Sequence, residues 1–380
     1  MMYDFSPVAR FMEDVMCARH SVPGCDVMIM RDHKLLYRHI CGYADAGSQT
    51  PLTPDNLYYM YSCTKPLTVT AGLRLVEEGK LDLEAPVGDY LPAFRDVFLL
   101  KDGQRVPPVN PPTIRHLFTM SAGLDYAGGG EAEAKLIEAS NRTAGTVEIV
   151  NTYATRPLCF EPGQEFLYSN CHDVLAAVIE VVAGMKFADY LDQIMFTPLG
   201  MTDSTFDDTP AVHARLASQY VSDPQGVVTL TATQNWFVVT PNYQSGGAGL
   251  ITSTADYAVF ADTLACGGTA ANGYRLLKPE TVKLMHEEQL HTFVMNNNFS
   301  CAQGPGYGYG LGVRTRIGQV DGARSPIGEF GWDGAAGAYV MMDDVNHLSI
   351  AFSMHVLGWP SCIGHDHGTI RDMTYDILGL

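Results

Sequence analysis

Two short runs hold the residue types that acyl transfer needs: Ser62-Cys63-Thr64-Lys65 and, far downstream, Tyr168-Ser169-Asn170. A serine hydroxyl is a poor nucleophile near neutral pH unless a neighbouring group takes its proton. If Ser62 opens a helix, Lys65 at i+3 shares its face and brings an amine beside the hydroxyl. Alone, the first run also reads as an N-cap serine followed by an exposed lysine, and Tyr168 as a core phenol with a wet hydroxyl. Together they offer a nucleophile, a base and a second proton carrier in one chain.

The elements around them have to set that geometry. Pro66 to Glu78 carries apolar Leu67, Val69, Leu73 and Val76, keeps its proline in the first turn and stops before Gly79, which predicts a helix with Ser62 at its N-terminus. Helix dipole and unpaired N–H groups there favour negative charge, so the Ser62 N–H is a candidate half of an oxyanion hole. Tyr168 follows the turn signal Glu161-Pro162-Gly163 and precedes a helical run from Asp173 to Gly184, which places it in a connection. Val8 to Arg19 reads as a helix, and Val27–Met30 with Leu35–Arg38 as a hairpin around Asp32-His33. Gly308–Val313, Gly337–Met342 and Leu348–Met354 read as strands, Thr369–Leu378 as a closing helix, and the stretch between the two ends as mainly helical. No internal repeat or interdomain linker interrupts the 380 residues.

Composition sets limits. A 46% apolar fraction with 17% charged residues suits a large buried core, and a net charge of −18 disfavours nucleic acid and anionic membrane as partners. The N-terminus shows neither a basic region nor an apolar one, and no stretch is long enough to span a bilayer, so a cytoplasmic location is expected. Nine cysteines without paired spacing read as reduced thiols rather than a disulfide framework. Cys362, His365 and His367 form a C-x-x-H-x-H cluster that lacks an evident fourth ligand, and His116 reads as a structural histidine.

Taken with its flanks, the chain resembles the serine β-lactamase and penicillin-binding-protein-like superfamily, and within it class C β-lactamases and family VIII carboxylesterases. The S-x-x-K and Tyr168-Ser169-Asn170 runs carry the resemblance. So do Gly79 to Val87 with Tyr90-Leu91-Pro92, Ile114 to Leu124 with Met120 where a histidine is common, and the glycine-rich Ser245 to Thr254. The third motif departs: that superfamily's lactamases carry Lys-Thr-Gly, whereas Trp332-Asp333-Gly334 stands here and no lysine follows Lys283.

The resemblance implies an α/β (α+β) β-lactamase-like fold, with an antiparallel sheet built from both termini and flanked by helices. It further implies one catalytic domain over 1–380, divided into an α/β part of about 1–80 plus 290–380 and a helical part of about 81–289. Ser62, Lys65 and Tyr168 would be catalytic. Asn170 would orient the substrate and the lysine, Trp332 would wall the pocket, Gly334 would let substrate approach, and the Ala335 N–H would complete the oxyanion hole. No metal or organic cofactor is called for. An apolar wall in place of a cation points to a serine hydrolase of small or medium acyl esters, with a small-molecule ester or amide as partner. A β-lactamase or D-amino-acid peptidase is the alternative, and a non-catalytic binding member of the fold a third reading.

Overall fold

The computed structural model describes residues 3–293, 299, 306–319 and 322–380. Both ends of the chain feed one antiparallel sheet. The N-terminal part supplies β1 (Gly24–Arg31), β2 (Lys34–Asp45) and the short β3 (Thr50–Pro51). The C-terminal part supplies β4 (Tyr307–Tyr309), β5 (Arg314–Arg316), β6 (Phe330–Asp333), β7 (Tyr339–Asp343) and β8 (Leu348–Met354). Their order is β4-β5-β6-β7-β8-β1-β2-β3, so β1 lies against β8 from Cys25↔Met354 to Arg31↔Leu348. The hairpin of β1 and β2 turns at Asp32 and His33, whose φ angles of 49° and 63° give the mirror-image turn that follows strand twist.

Side chains alternate across this sheet with period two. Val27, Ile29, Ile350 and Phe352 pack with Met12 and Met16 of an N-terminal helical stretch and with Ile370 and Tyr375 of the closing helix. Met28, Val340, Met342 and Ala351 join the larger core on the opposite side. That core includes the helices α1 (Thr64–Glu77), α2 (Cys171–Ala183) and α3 (Thr254–Ala265). Each fully buried side chain of this size contributes about 1.5–3 kcal/mol.

Several elements differ from the sequence reading. The N-terminal helix begins at Ser6 and widens into π turns over Phe11–Arg19. The closing helix, α4, starts at His367. Gly308–Val313 is the end of β4 and a turn: the Gly310 N–H bonds the Val313 carbonyl at 2.8 Å, and Gly312, at φ 87°, presses so closely on Val69 of α1 that a Cβ would lie 2.3 Å from it. Gly337 belongs to a turn rather than to β7, its N–H bonding the Gly334 carbonyl at 2.9 Å. Trp332 and Asp333 lie on a strand of their own, β6.

A buried ion network fixes the end of β6. Asp333 takes Arg314 Nη1 at 3.0 Å on one oxygen and faces His367 Nδ1 at 2.8 Å with the other. Burial alone would raise this carboxyl, but Arg314 and the His367 hydrogen bond outweigh it and hold it below its ordinary value of 3.8. Removing one partner of a buried pair strands the other, so Asp333→Ala should cost about 3–5 kcal/mol in urea unfolding. A depressed folded value means the stabilisation is present above the ordinary value and is lost as pH falls through the folded one. Stability of the wild type should therefore drop in acid more steeply than that of Asp333→Asn; equal slopes would show that the carboxylate is not what the network holds.

Candidate active site

Ser62 lies in one tight turn, Tyr61–Cys63, that leads directly into α1. Tyr61 adopts φ 46°, which costs a bulky L-residue about 1–2 kcal/mol. Its surroundings hold it there. Gln219 Nε2 donates to the Tyr61 hydroxyl at 2.8 Å, and the Met60 N–H bonds the Leu250 carbonyl at 3.0 Å. The Leu250 N–H in turn bonds Thr64 Oγ1 at 3.0 Å.

Lys65, fully buried, extends its Nζ to 3.1 Å from Ser62 Oγ, 3.1 Å from the Tyr126 hydroxyl and 2.7 Å from the Gly247 carbonyl. The carbonyl can only accept, so one N–H is committed to it. The two hydroxyls can each donate or accept, which leaves the nitrogen able to take the Ser62 proton. The Tyr168 ring packs over Nζ, its centroid 4.6 Å away.

The Gly247 carbonyl is positioned by Asp173, in the first turn of α2. One Asp173 oxygen accepts from Ser245 Oγ at 2.6 Å, the Tyr243 hydroxyl at 2.9 Å and the Gly247 N–H at 3.2 Å. The other accepts Asn170 Nδ2 at 3.0 Å. Asn170 thus braces Asp173, with its own Oδ1 buried and without a hydrogen bond. The contacts expected between Asn170 and the lysine are made by Tyr126 and Gly247 instead.

Around Ser62 the wall is aromatic. Trp332 Nε1 donates to the Tyr168 hydroxyl at 3.0 Å, with the two rings 5.4 Å apart. Tyr126 lies 5.5 Å from Tyr168, and Phe237 6.0 Å from Tyr126 and 6.1 Å from Tyr61. Desolvation, then the neighbouring Tyr168 and Asp173, pushes the Tyr126 phenol well up, so it keeps its proton at neutral pH. Trp332 is therefore both wall and hydrogen-bond donor. A Cβ on Gly334 would lie 2.4 Å from the Met60 carbonyl, so this glycine lets the end of β6 rest on the Ser62 turn. Ala335 follows directly, and its carbonyl accepts the Gly358 N–H at 3.4 Å.

Other singled-out residues find structural partners. Cys63 is buried with its Sγ 3.8 Å from the Trp332 carbonyl, and burial pushes its thiol up. His116 closes a capping box with Thr113, and burial lowers it to about 4. Cys362 meets His367 at 3.0 Å, but His365 turns to Asp366, so the C-x-x-H-x-H run does not gather. A cleft of about 480 Å³ is lined by Tyr59, Arg142, Asp208, Gln234 and neighbours, and not by Ser62, Lys65 or Tyr168. Tyr126 and Asp173 were missed as site residues in the sequence. Tyr126, two residues past the Ser121-Ala122-Gly123-Leu124 run, is the one a local signal could have marked.

The Beta-lactamase family model matches residues 8–370. Protein Rv1367c of Mycobacterium tuberculosis is 30% identical over 349 residues, covering 88% of this chain and 86% of its own length. Esterase EstB of Burkholderia gladioli is 34% identical over 255 residues, covering 61% of this chain and 63% of its own. Among solved structures, EstCE1, described as a hydrolase with promiscuous acyltransferase activity, superposes with a TM-score of 0.78 at 26% identity, covering 97% of this chain and 98% of its own.

The Lys65 contacts make a direct expectation. Tyr126→Phe removes one hydrogen bond from Nζ while keeping the ring, so kcat on a p-nitrophenyl ester should fall about tenfold with KM little changed. An unchanged kcat would reduce Tyr126 to a wall of the mouth.

Proposed function

The chain belongs to the Beta-lactamase family, and from that premise and the geometry above we propose a carboxylesterase that acylates Ser62. It is a serine hydrolase acting on small molecules; the ester preference is the further step. The observation that carries it is Trp332, an apolar indole where the family's lactamases place the lysine that meets a substrate carboxylate. EstB and EstCE1, an esterase and a hydrolase by their descriptions, support the same reading.

In this mechanism Ser62 Oγ attacks the ester carbonyl as its proton passes to Lys65 Nζ, 3.1 Å away. The carbonyl oxygen, turning negative, would be held by the N–H groups of Ser62 and Ala335, a pairing supported by the close approach of Gly334 to the Met60 carbonyl. Tyr168 accepts the Trp332 N–H on its oxygen and so keeps its own O–H for the departing alkoxide. Water then attacks the acyl-enzyme with proton transfer reversed through the same groups. Ala335 and Gly334 serve through the backbone, Asn170 through Asp173. Among the described residues no helix is long and apolar enough to cross a membrane. A cytoplasmic location is part of the proposal, supported by the free thiols.

Ser62→Ala should remain folded, because the Ser62 hydroxyl caps no helix and its hydrogen bond with Lys65 is worth about 1 kcal/mol, while ester turnover falls by orders of magnitude. Wild-type turnover in folded Ser62→Ala would remove the nucleophile assignment.

Substrate class is tested at Trp332. The wild type should prefer a neutral ester to a carboxylate-bearing cephalosporin in kcat/KM. Trp332→Lys loses the Tyr168 contact and so slows both substrates, yet the restored cation should shift the ratio toward the cephalosporin by about tenfold or more. A wild type that favours the cephalosporin contradicts the esterase reading. An unshifted ratio contradicts the role given to position 332.

A further inference from the structure

Three cysteines far apart in sequence converge on the sheet face covered by the N-terminal helix. Cys17 comes from that helix, Cys25 from β1 and Cys41 from β2. Cys25 and Cys41 are directly opposed in the strand register, which puts their side chains on one face. Cys41 Sγ lies 3.6 Å from Cys17 Sγ and 3.6 Å from Cys25 Sγ, and all three sulfurs fall within 4.8 Å of one another. All three are free thiols. A separation of 3.6 Å is far longer than a disulfide bond of about 2.05 Å. It is close to the sulfur–sulfur edge of about 3.8 Å that a tetrahedral ion with metal–sulfur bonds of about 2.3 Å requires.

His39 precedes Cys41 by two positions on β2 and so shares its face, but its Nε2 pairs with Glu13 Oε1 at 2.9 Å and it is not one of the converging ligand atoms. Cys25 is fully buried, whereas Cys17 and Cys41 are partly exposed, which leaves a way in from solvent.

We propose that Cys17, Cys25 and Cys41 form a thiolate site for a soft divalent cation of the Zn²⁺ class, with a solvent molecule as fourth ligand. Binding exchanges three S–H protons, released to solvent, for one M²⁺, with no change of oxidation state. The ion would tie the N-terminal helix to the first hairpin. Its place in the fold is separate from the Ser62 turn, so the proposal stands independently of the esterase reading.

The test uses the full chain, kept reduced by a phosphine and stripped of metal, and titrates it with Cd²⁺ while following thiolate-to-metal charge-transfer absorption. Zn²⁺ affinity is then read by competition with a chromophoric chelator. One ion per chain is expected in the wild type and in Cys159→Ser, an exposed cysteine elsewhere. Cys17→Ser and Cys41→Ser, at partly exposed positions, should bind about 100-fold more weakly or worse, since losing a direct ligand exceeds the 10–100-fold cost of losing a supporting one. A readout free of folding effects is alkylation of the wild type mapped by mass spectrometry: Zn²⁺ should protect Cys17 and Cys41 and leave Cys159 reactive. Absence of thiolate absorption at one equivalent, equal binding in the serine variants, or unprotected Cys17 and Cys41 overturns the proposal. So does a Cys25–Cys41 disulfide that forms in air while the reduced protein takes up no ion.

Discussion

A lysine amine group sealed from water must find all of its partners inside the protein, because a buried polar group left unpaired costs about 1–3 kcal/mol. Lys65 is in that position, and the site is arranged around it. Its partners are the Ser62 hydroxyl, a phenol from the loop after the helix Ile114–Phe118, and a backbone carbonyl from the glycine-rich segment before α3. Ser62 is therefore held not by its own helix alone but by a group that three distant parts of the chain have to satisfy at once.

Those parts are held in turn by close backbone approaches. A Cβ on Gly246 would lie 2.5 Å from the His172 carbonyl, and one on Gly247 2.7 Å from Asp173 Oδ2, so the segment can lie flush on α2 only as glycine. That contact lets one carboxylate collect the donors of Tyr243, Ser245, Gly247 and Asn170. On the other side, Gly334 lets the end of β6 rest on the Met60 carbonyl, while Arg314 and His367 fix Asp333 beside it. The strain at Tyr61 is tolerated because both neighbours of the Ser62 turn are immobilised in this way.

What the sequence made legible was local. The i, i+3 relation of Ser62 and Lys65, the helix that follows, the Asp32-His33 hairpin and β8 depend on spacing and turn chemistry within a few residues. The antiparallel sheet built from both termini followed from the resemblance and from those strands. Contacts between distant segments did not announce themselves. Tyr126 reads as a loop aromatic until Lys65 reaches it, and Asp173 reads as a first-turn acid of α2 until the Gly246-Gly247 segment arrives. Cys17, Cys25 and Cys41 show no metal-type spacing because a helix and two strands, rather than one loop, bring them together. Glycine misled in the same way: Gly308–Val313 looks like a strand, but Gly312 is present for its packing on Val69 rather than for pairing.

The central claim, that Ser62 is the residue acylated with Lys65 beside it, is tested most directly by trapping. The enzyme is mixed with excess p-nitrophenyl ester, quenched in acid within the first turnover and examined by intact-mass and peptide mass spectrometry. The account predicts one acyl group per chain, located on the peptide that contains Ser62 and absent when Lys65 is replaced by alanine. An acyl group found on another residue, or turnover with no covalent adduct at any quench time, would contradict it.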